Sequence, residues 1–366
     1  MPPSPRLPSF AVAGAGSTAA SSRMVGAVDA SPMLRVHAPS RVEAARVCDL
    51  CGGTEAETIA THDRDGAPLE TVICSTCGLV SHADVPTDEQ LAAFYASEYR
   101  EQYHGEHVPS ARRVVRAWRN GGRLLGLVAP LLEPGATVFE IGAGIGCTVK
   151  RFDLAGFDAR GIEPHDGFQQ FSRTRLRARV THAAIGDVPL DRSLDAVLLI
   201  HVIEHFGSPR NALERIHGML RRDGTLYVEC PNLGAPFTVR SRLFHRAHTF
   251  NFTTSSLTML ARSCGFEPTR VFHSPRGCNL EIAFRKAEPR PVVVDPGNRA
   301  ATLAALESAT PLRHNLRPGY LASRSRQVLG YLREHLTAAR EVEAILRTCA
   351  ATPLPDAEPS RTRRAA

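Results

Sequence analysis

The feature that most constrains the fold of this chain is an apolar segment that ends in an acid and alternating glycines. The segment reads Val138-Phe-Glu-Ile-Gly-Ala-Gly-Ile-Gly146 and leads into a helical pattern. Glycine at such positions lets the backbone approach a ligand closely and lets the helix pack against the strand. Taken alone, the loop fits a NAD site, a flavin site or a tight turn without a ligand. The pattern therefore predicts a strand–loop–helix unit but does not identify its cofactor.

Segments of strand character alternate with helical segments between residues 135 and 290. Strands joined by helical crossovers predict a mostly parallel sheet that is covered by helices on both faces. The predicted strands are Thr137–Ile141, Ala159–Glu163, Leu194–Ile200 and Gly224–Glu229, with two more near Glu267–His273 and Asn279–Arg285. The predicted fold class is therefore α/β, with a Rossmann-like sheet.

Two carboxylates favour S-adenosylmethionine (SAM) as the cofactor. Glu140 precedes the first glycine of the loop, where it can reach the ammonium group of SAM. Glu163 ends the next strand, about 20 residues beyond the loop, where a carboxylate accepts hydrogen bonds from both ribose hydroxyls. NAD enzymes share this second feature, so Glu163 alone does not separate the two cofactors.

Five motifs follow one another between residues 125 and 285. They are Glu140–Gly146, Gly161–Pro164, Leu194–His205, Leu220–Leu226 leading to Pro231-Asn232, and His248–Thr253 with Ser256-Leu257 and Gly265-Phe266. In this order they make the chain resemble the class I SAM-dependent methyltransferases, particularly the group that includes ubiquinone-type O-methyltransferases and sugar methyltransferases. The resemblance implies an enzyme that transfers a methyl group from SAM.

The resemblance also implies which residues contact SAM. Many relatives hold the adenine with an acid–small pair after the third strand, whereas this chain reads Ala183-Ala-Ile-Gly-Asp187 there. This departure leaves the adenine contact open, with Asp187 as the candidate. The residues expected to contact the cofactor are Glu140, Gly142, Ala143, Gly144, Gly146, Glu163, Asp187 and His201.

The motif His201-Val-Ile-Glu204-His205 follows the predicted strand Leu194–Ile200 and permits three hypotheses. As a zinc-peptidase motif it would need a third metal ligand and a long helix, yet Pro209 soon follows. As a structural element it would shape the methionine end of the SAM pocket. As a catalytic element it would take a proton from the acceptor, because ligands bind at the carboxyl edge of such sheets. We expect His205 to be the base, one helical turn beyond a SAM-facing His201, with Glu204 orienting it or acting itself.

Two Cys-x-x-Cys pairs, Cys48 with Cys51 and Cys74 with Cys77, have the spacing of zinc knuckles. Four thiolates satisfy tetrahedral Zn²⁺ and leave no open coordination position, so the predicted zinc is structural. Four buried cysteines without a metal are the competing explanation. Acids outnumber arginines in residues 45–82, which argues against nucleic-acid binding by this module.

Two further segments bear on the acceptor. Sugar C-methyltransferases resemble this chain in having a zinc module followed by a tyrosine-bearing helix, here Phe94-Tyr95 and Tyr99, although helix packing explains these residues as well. The segment Pro236–Arg246 lies where insertions in such folds often cover the acceptor, and a solvated basic helix is its plainer interpretation. The side chains in it that can meet a phosphate are Arg240, Arg242, His245 and Arg246. We therefore expect a small-molecule acceptor, such as a sugar or a nucleotide- or lipid-linked sugar, methylated on oxygen or carbon.

A non-catalytic alternative is a zinc-ribbon protein that binds a partner through a degenerate methyltransferase fold. Glu140, Gly142, Gly144 and Glu163 are all intact, which favours the enzyme.

Composition and pattern divide the chain into six parts. They are a disordered tail (1–44), a zinc-binding module (45–82), a helical connector (83–130), the SAM-binding domain (131–290), a helical C-terminal region (291–350) and a disordered tail (351–366). Helices are expected from Pro86 and over Ser110–Val128, and a helical hairpin over 297–349. No apolar run is long enough to span a bilayer and no secretory signal is evident, so a cytoplasmic enzyme is expected. The net charge of +7 lies partly in the tails, which we interpret as solvated, and no nucleic-acid partner is expected.

Overall fold

The computed structural model describes residues 47–87, 90–91, 108–236, 238–275, 277–310 and 320–351, and for residues 320–329, 332 and 333 it describes the backbone alone. The predicted tails (1–44 and 351–366, apart from residue 351), much of the connector and the tyrosine-bearing segment around Tyr95 lie outside the described residues. Among the described helices, none is both long and apolar enough to cross a membrane.

A small antiparallel sheet surrounds the N-terminal cysteines. Its strands β1 (Ala56–His62), β2 (Pro68–Cys74) and β3 (Val80–His82) follow one another along the chain, and β9 (Phe250–Asn251) completes the sheet at the edge next to β3. Strand β9 belongs to the stretch that was predicted to be part of the SAM-binding domain. The cysteine module and that domain are therefore joined by backbone hydrogen bonds, in which β3 pairs with β9.

The large sheet has the strand order β10-β11-β8-β7-β4-β5-β6 among the described residues. Strands β4 to β8 run parallel, and β11 is antiparallel to both of its neighbours. All six predicted strands are present, together with the two-residue β6, which is too short to give a sequence pattern. The strands are β4 (Thr137–Ile141), β5 (Asp158–Ile162), β6 (Val180–Thr181), β7 (Leu194–Ile200), β8 (Leu220–Pro231), β10 (Phe266–Val271) and β11 (Asn279–Lys286).

Helices cover the large sheet as the α/β pattern predicts. Their starts have chemical causes: the Ser208 hydroxyl accepts the Asn211 N–H, and Thr253 and Ser256 form a capping box. The predicted helix from Ser110 is confirmed. The helices of this part of the chain are α1 (Ala111–Val128), α2 (Cys147–Leu154), α3 (Asp166–Phe171), α4 (Pro209–Met219) and α5 (Thr254–Ser263).

Two helices follow the large sheet, α6 (Asn298–Ser308) and α7 (Tyr320–Ala350). Helix α6 buries Leu306 against apolar residues of the small sheet. Helix α7 instead buries Ile345 and Cys349 in the apolar cluster that includes α1. The two helices pack against different parts of the chain, so the predicted hairpin is wrong in its packing although both helices form.

Candidate functional site

The glycine loop after β4 has a backbone that L-residues with side chains rarely adopt. Gly142, Gly144 and Gly146 have φ values of 70°, 53° and 79°. A Cβ on Gly142 would lie 2.7 Å from a methyl carbon of Val202, and one on Gly146 would lie 2.1 Å from the Ser172 hydroxyl. A Cβ on Gly144 would meet nothing within 4 Å. Packing therefore requires the outer two glycines, whereas the middle one borders open space that a cofactor can enter.

Glu163 lies beside this loop, as predicted. One oxygen of its carboxylate accepts the Gly144 N–H at 2.7 Å, and the other accepts the His165 N–H at 3.1 Å. Ala143 ties the loop to the same strand, because its N–H donates to the Ile162 carbonyl at 2.8 Å. The end of β5 and the glycine loop are therefore joined by hydrogen bonds around the acid that is expected to hold the ribose.

Glu140 is a buried carboxylate at the end of β4. Its Oε2 accepts no hydrogen bond from the residues that the structure describes. Burial, together with the charge of Glu163, raises the pKa of Glu140 to about 8. A buried carboxylate oxygen without a partner fits the cationic group of a ligand, so the residues present fit SAM with its ammonium at this carboxylate.

Asp187 lies on a short 3₁₀ turn, Ile185–Asp187, after β6. Its Oδ2 accepts the Ala184 N–H at 3.0 Å, so part of the carboxylate caps the turn that carries it. Its role toward the adenine stays a prediction.

The His-x-x-Glu-His segment does not form an α-helix. His201 directly follows β7 with a φ of 54°, in the left-handed region, and Ile203–His205 then forms a single 3₁₀ turn. The expectation that a helical turn separates His201 from His205 is therefore wrong, because the left-handed residue redirects the chain at the end of the strand. The zinc-peptidase hypothesis loses the long helix that it needs.

Glu204 is 1% exposed and lies between the two histidines of its motif. Its Oε1 is 3.5 Å from His201 Nδ1 and 3.9 Å from His205 Nε2. Neither carboxylate oxygen accepts a hydrogen bond of good geometry within the described part of the chain. This carboxylate thus has capacity for a further ligand.

His201 lies between two carboxylates. Its Nε2 is 3.5 Å from Glu229 Oε1, and Arg123 forms an ion pair with Glu229 at 2.5 Å. Desolvation opposes charge on the His201 ring, but the negative carboxylates of Glu204 and Glu229, each 3.5 Å from a ring nitrogen, outweigh it and raise the pKa of His201 to about 10. His201 is therefore a cation at neutral pH and is unsuited to accept a proton.

His205 is held in one orientation. Its Nδ1 lies 2.5 Å from the Ala247 carbonyl oxygen, which only accepts, so Nδ1 donates and Nε2 is the unprotonated nitrogen of the neutral ring. The ring is 14% exposed and stacks edge-to-face on His248, with centroids 5.0 Å apart. A neutral ring in this tautomer presents a lone pair on the side of Glu204.

Only some of the basic side chains predicted in the insertion 236–246 are suited to bind a phosphate group. Arg240 donates to the Ile59 carbonyl at 2.8 Å, while Arg242 and Arg246 are exposed. Burial, reinforced by the positive charge of Arg64, lowers the pKa of His245 to about 3. His245 is buried and neutral at pH 7, which makes it a poor partner for an anion.

His248 is a site residue that sequence analysis used only as part of a motif. Its ring lies 3.8 Å, centroid to centroid, from that of His245, and burial lowers its pKa. No periodicity links His248 to His205; the two meet because the segment before β9 packs against the turn after β7. The only available signal was its place in the family motif.

The four predicted cysteines come together. Cys48 and Cys77 have sulfurs 3.6 Å apart, those of Cys51 and Cys74 are 3.5 Å apart, and all four sulfurs lie within 4.8 Å of one another. A tetrahedral zinc with Zn–S bonds of about 2.3 Å places its sulfurs about 3.8 Å apart. The residues present therefore fit a zinc ion.

The turns at the two cysteine pairs have the same backbone hydrogen bond and a similar glycine conformation. The Gly52 N–H donates to the Cys48 carbonyl at 2.9 Å, and the Gly78 N–H donates to the Cys74 carbonyl at 3.0 Å. Both glycines have a left-handed backbone, with φ values of 73° for Gly52 and 72° for Gly78. The glycine after each pair is thus needed for the turn that presents the sulfurs.

Comparison with known proteins bears on the identity of the large sheet. Residues 139–228 match the family described as a methyltransferase domain. The tRNA U34 carboxymethyltransferase of Aeromonas hydrophila is 26% identical over 181 residues, which cover 46% of this chain and 54% of that protein. An uncharacterised protein of Mycobacterium tuberculosis is 25% identical over 115 residues, which cover 29% of this chain and 39% of that protein. The chain thus spans about half or less of the length of these curated relatives.

Among solved structures, the 1,6-didemethyltoxoflavin N1-methyltransferase of Burkholderia thailandensis aligns with a TM-score of 0.45 and 22% identity, covering 64% of this chain and 100% of that one. The family match covers the glycine loop, Glu163 and the strands from within β4 to within β8. These strands lie in the parallel part of a sheet whose last strand is antiparallel, with the loop at its carboxyl edge. Residues 139–228 therefore match a methyltransferase domain, and they lie on the parallel strands of a Rossmann-like α/β sheet.

Proposed function

We propose that this protein transfers the methyl group of SAM to a small-molecule acceptor that binds beside the turn after β7. The observation that carries the proposal is the pair formed by the buried Glu204 and the partly buried His205 next to the glycine loop. Val202, two residues before Glu204, packs directly on Gly142. The pair therefore lies at the carboxyl edge of the sheet, where ligands of open α/β sheets bind.

The reaction is a direct displacement. An acceptor oxygen or acidic carbon loses its proton, and its electron pair forms a bond to the methyl carbon. The carbon–sulfur bond breaks with its pair on sulfur, which leaves S-adenosylhomocysteine. Because the sulfonium already activates the methyl group, the protein mainly aligns the acceptor and assists the loss of its proton.

The histidines have different parts in this proposal. His201 carries a positive charge and can hold an anionic group of SAM or the acceptor. Glu204 and His205 activate the acceptor, since the His205 lone pair and the buried carboxylate face each other across 3.9 Å. We also propose a structural zinc at the four cysteines.

The proposed acceptor class is a sugar, including nucleotide- or lipid-linked sugars. Its support is the exposed pair Arg242 and Arg246 in the insertion before β9, which can meet a phosphate. A screen with methyl-labelled SAM against sugar nucleotides, free sugars, phenols and tRNA tests this class. Transfer of the label to tRNA alone would contradict a sugar acceptor. SAM binding without transfer to any acceptor would favour the non-catalytic alternative.

Glu163→Ala is expected to weaken SAM binding strongly, by about 10- to 150-fold for each lost ribose hydrogen bond to the charged carboxylate. Calorimetry with SAM and S-adenosylhomocysteine measures the change. Glu214→Gln, on the exposed face of α4, is the matched control and should bind normally. Tight NADH binding without SAM binding would overturn the cofactor assignment.

SAM affinity is expected to rise with pH between pH 6 and 7.5, by up to about tenfold per unit. Glu140 is protonated below its raised pKa of about 8, and it must lose that proton to pair with the SAM ammonium, so binding releases a proton. Titrations at several pH values measure the slope. Glu140→Gln should flatten it, and an unchanged slope in this variant would show that another group titrates.

A further inference from the structure

Three ligating side chains converge next to the proposed acceptor site. They are Glu204, His205 and His248, and one ligating atom from each lies within 4.8 Å of the other two. Glu204 and His205 belong to the 3₁₀ turn after β7, and His248 belongs to the segment before β9. The cluster is separate from the four cysteines and forms where the chain of the small sheet meets the edge of the large one.

The Glu204 carboxylate is the first reason to expect a ligand here. It is 1% exposed, and its oxygens accept no hydrogen bond from the described residues. The ion pair with the charged His201 ring leaves both oxygens without a hydrogen bond from any described residue, and buried carboxylates in proteins are usually hydrogen-bonded or bound to metal ions as well. The two nearest nitrogens, on His201 and His205, are 3.5 and 3.9 Å away, too distant for good hydrogen bonds.

The orientation of His205 is the second reason. Its Nδ1 donates to the Ala247 carbonyl at 2.5 Å, which directs the Nε2 lone pair toward Glu204. Histidines that bind metal ions almost always donate their other ring N–H to a carbonyl or carboxylate in this way. His205 therefore has the outer hydrogen bond that a metal ligand needs.

We propose that Glu204, His205 and His248 bind a divalent transition-metal cation of the Zn²⁺ or Fe²⁺ type. Two imidazoles and one carboxylate suit these cations, whereas Mg²⁺ prefers oxygen ligands alone. Three protein ligands leave coordination positions open for an oxygen of the acceptor. His201 is not a member of the set, so the arrangement differs from that of the zinc peptidases, in which both histidines of the motif are ligands.

This inference rests on the proposed function and refines it. A cation at this site lowers the pKa of a bound hydroxyl, so it activates an acceptor that carries a hydroxyl or an enolisable carbonyl. His205 then acts by holding the cation, while the proton of the acceptor passes to solvent water. The acceptor class narrows to molecules with an oxygen at or next to the methylated atom.

The test is titration of the full-length protein, with the cysteine site loaded with zinc, using Co²⁺ and Zn²⁺ alone. Calorimetry and the visible spectrum of Co²⁺ should show one further equivalent with nitrogen and oxygen ligands. Glu204→Gln and His248→Gln should each weaken it by about 100-fold or more, beyond the 10- to 100-fold typical of outer hydrogen-bond partners. His217→Gln, whose ring contacts Phe266 elsewhere in the domain, should bind as the wild type does.

Two results would overturn the proposal. One is wild-type protein that binds SAM and unfolds normally but takes up no second equivalent of Co²⁺ or Zn²⁺. The other is full cation affinity in both variants. Either result leaves His205 as a direct base and the proposed methyl transfer intact, whereas absence of SAM binding would remove the proposed function itself.

Discussion

Replacing His205 by alanine is expected to lower kcat for methyl transfer by about 10²- to 10⁴-fold while SAM still binds. The loss follows because Nδ1 of His205 is held by the Ala247 carbonyl, which leaves Nε2 beside the buried Glu204 carboxylate. Single-turnover methylation of the acceptor found in the screen measures the rate, and calorimetry of each variant measures SAM affinity. Both activation by direct proton removal and activation through a bound cation require this side chain.

His201→Ala is the matched comparison, because it removes a histidine of the same motif that is already protonated at neutral pH. Its main expected effect is weaker binding of the anionic group that the charged ring faces. Full activity of His205→Ala would mean that the motif is structural and that alignment alone accounts for catalysis. Loss of SAM binding in both variants would mean that the motif shapes the cofactor pocket.

Local patterns were enough to predict the large sheet and its cofactor loop. The strand from Thr137 to Ile141, the glycines after it and Glu163 follow rules that act over a few residues or one crossover. The Glu163 carboxylate accepts the Gly144 N–H because a parallel crossover necessarily brings the ends of β4 and β5 together. The same reasoning found the four cysteines, since the spacing of each pair is local.

Contacts between distant segments could not be predicted in this way. The pairing of β3 with β9 joins residues 80–81 to 250–251, and no periodic pattern in the sequence predicts this pairing. The meeting of His205 with His248 depends on the same packing. The left-handed backbone of His201 was missed because it is a non-glycine residue whose conformation is imposed by its surroundings, namely the end of β7 and hydrogen bonding to β8.

Long-range contacts also connect the cysteine module to helices of the rest of the chain. Asp49, between the first two cysteines, accepts hydrogen bonds from Ser208 and Arg210 at the start of α4. Asn298 of α6 donates to the Cys77 carbonyl at 2.8 Å. Loss of order at the cysteines is therefore expected to disturb α6 and the start of α4, which follows the Glu204 turn.

Cys74→Ser is expected to abolish binding of about one zinc ion per chain and to lower the free energy of unfolding by about 4–5 kcal/mol or more. Cys74 and Cys77 are buried in the same apolar cluster as Phe252 and Leu260 of the methyltransferase domain, so the effect reaches beyond the module. Elemental analysis of purified protein and thermal unfolding measure the two changes. Chelation of the wild type should reproduce the loss of stability.

The control for this variant is Cys278→Ser, because Cys278 is exposed and lies outside the cluster. It should keep its zinc and its unfolding temperature, which separates loss of a ligand from loss of any thiol. Wild-type protein that is metal-free yet equally stable would refute a structural zinc. An unchanged zinc content in Cys74→Ser, relative to the wild type, would mean that residues other than the four cysteines hold the zinc.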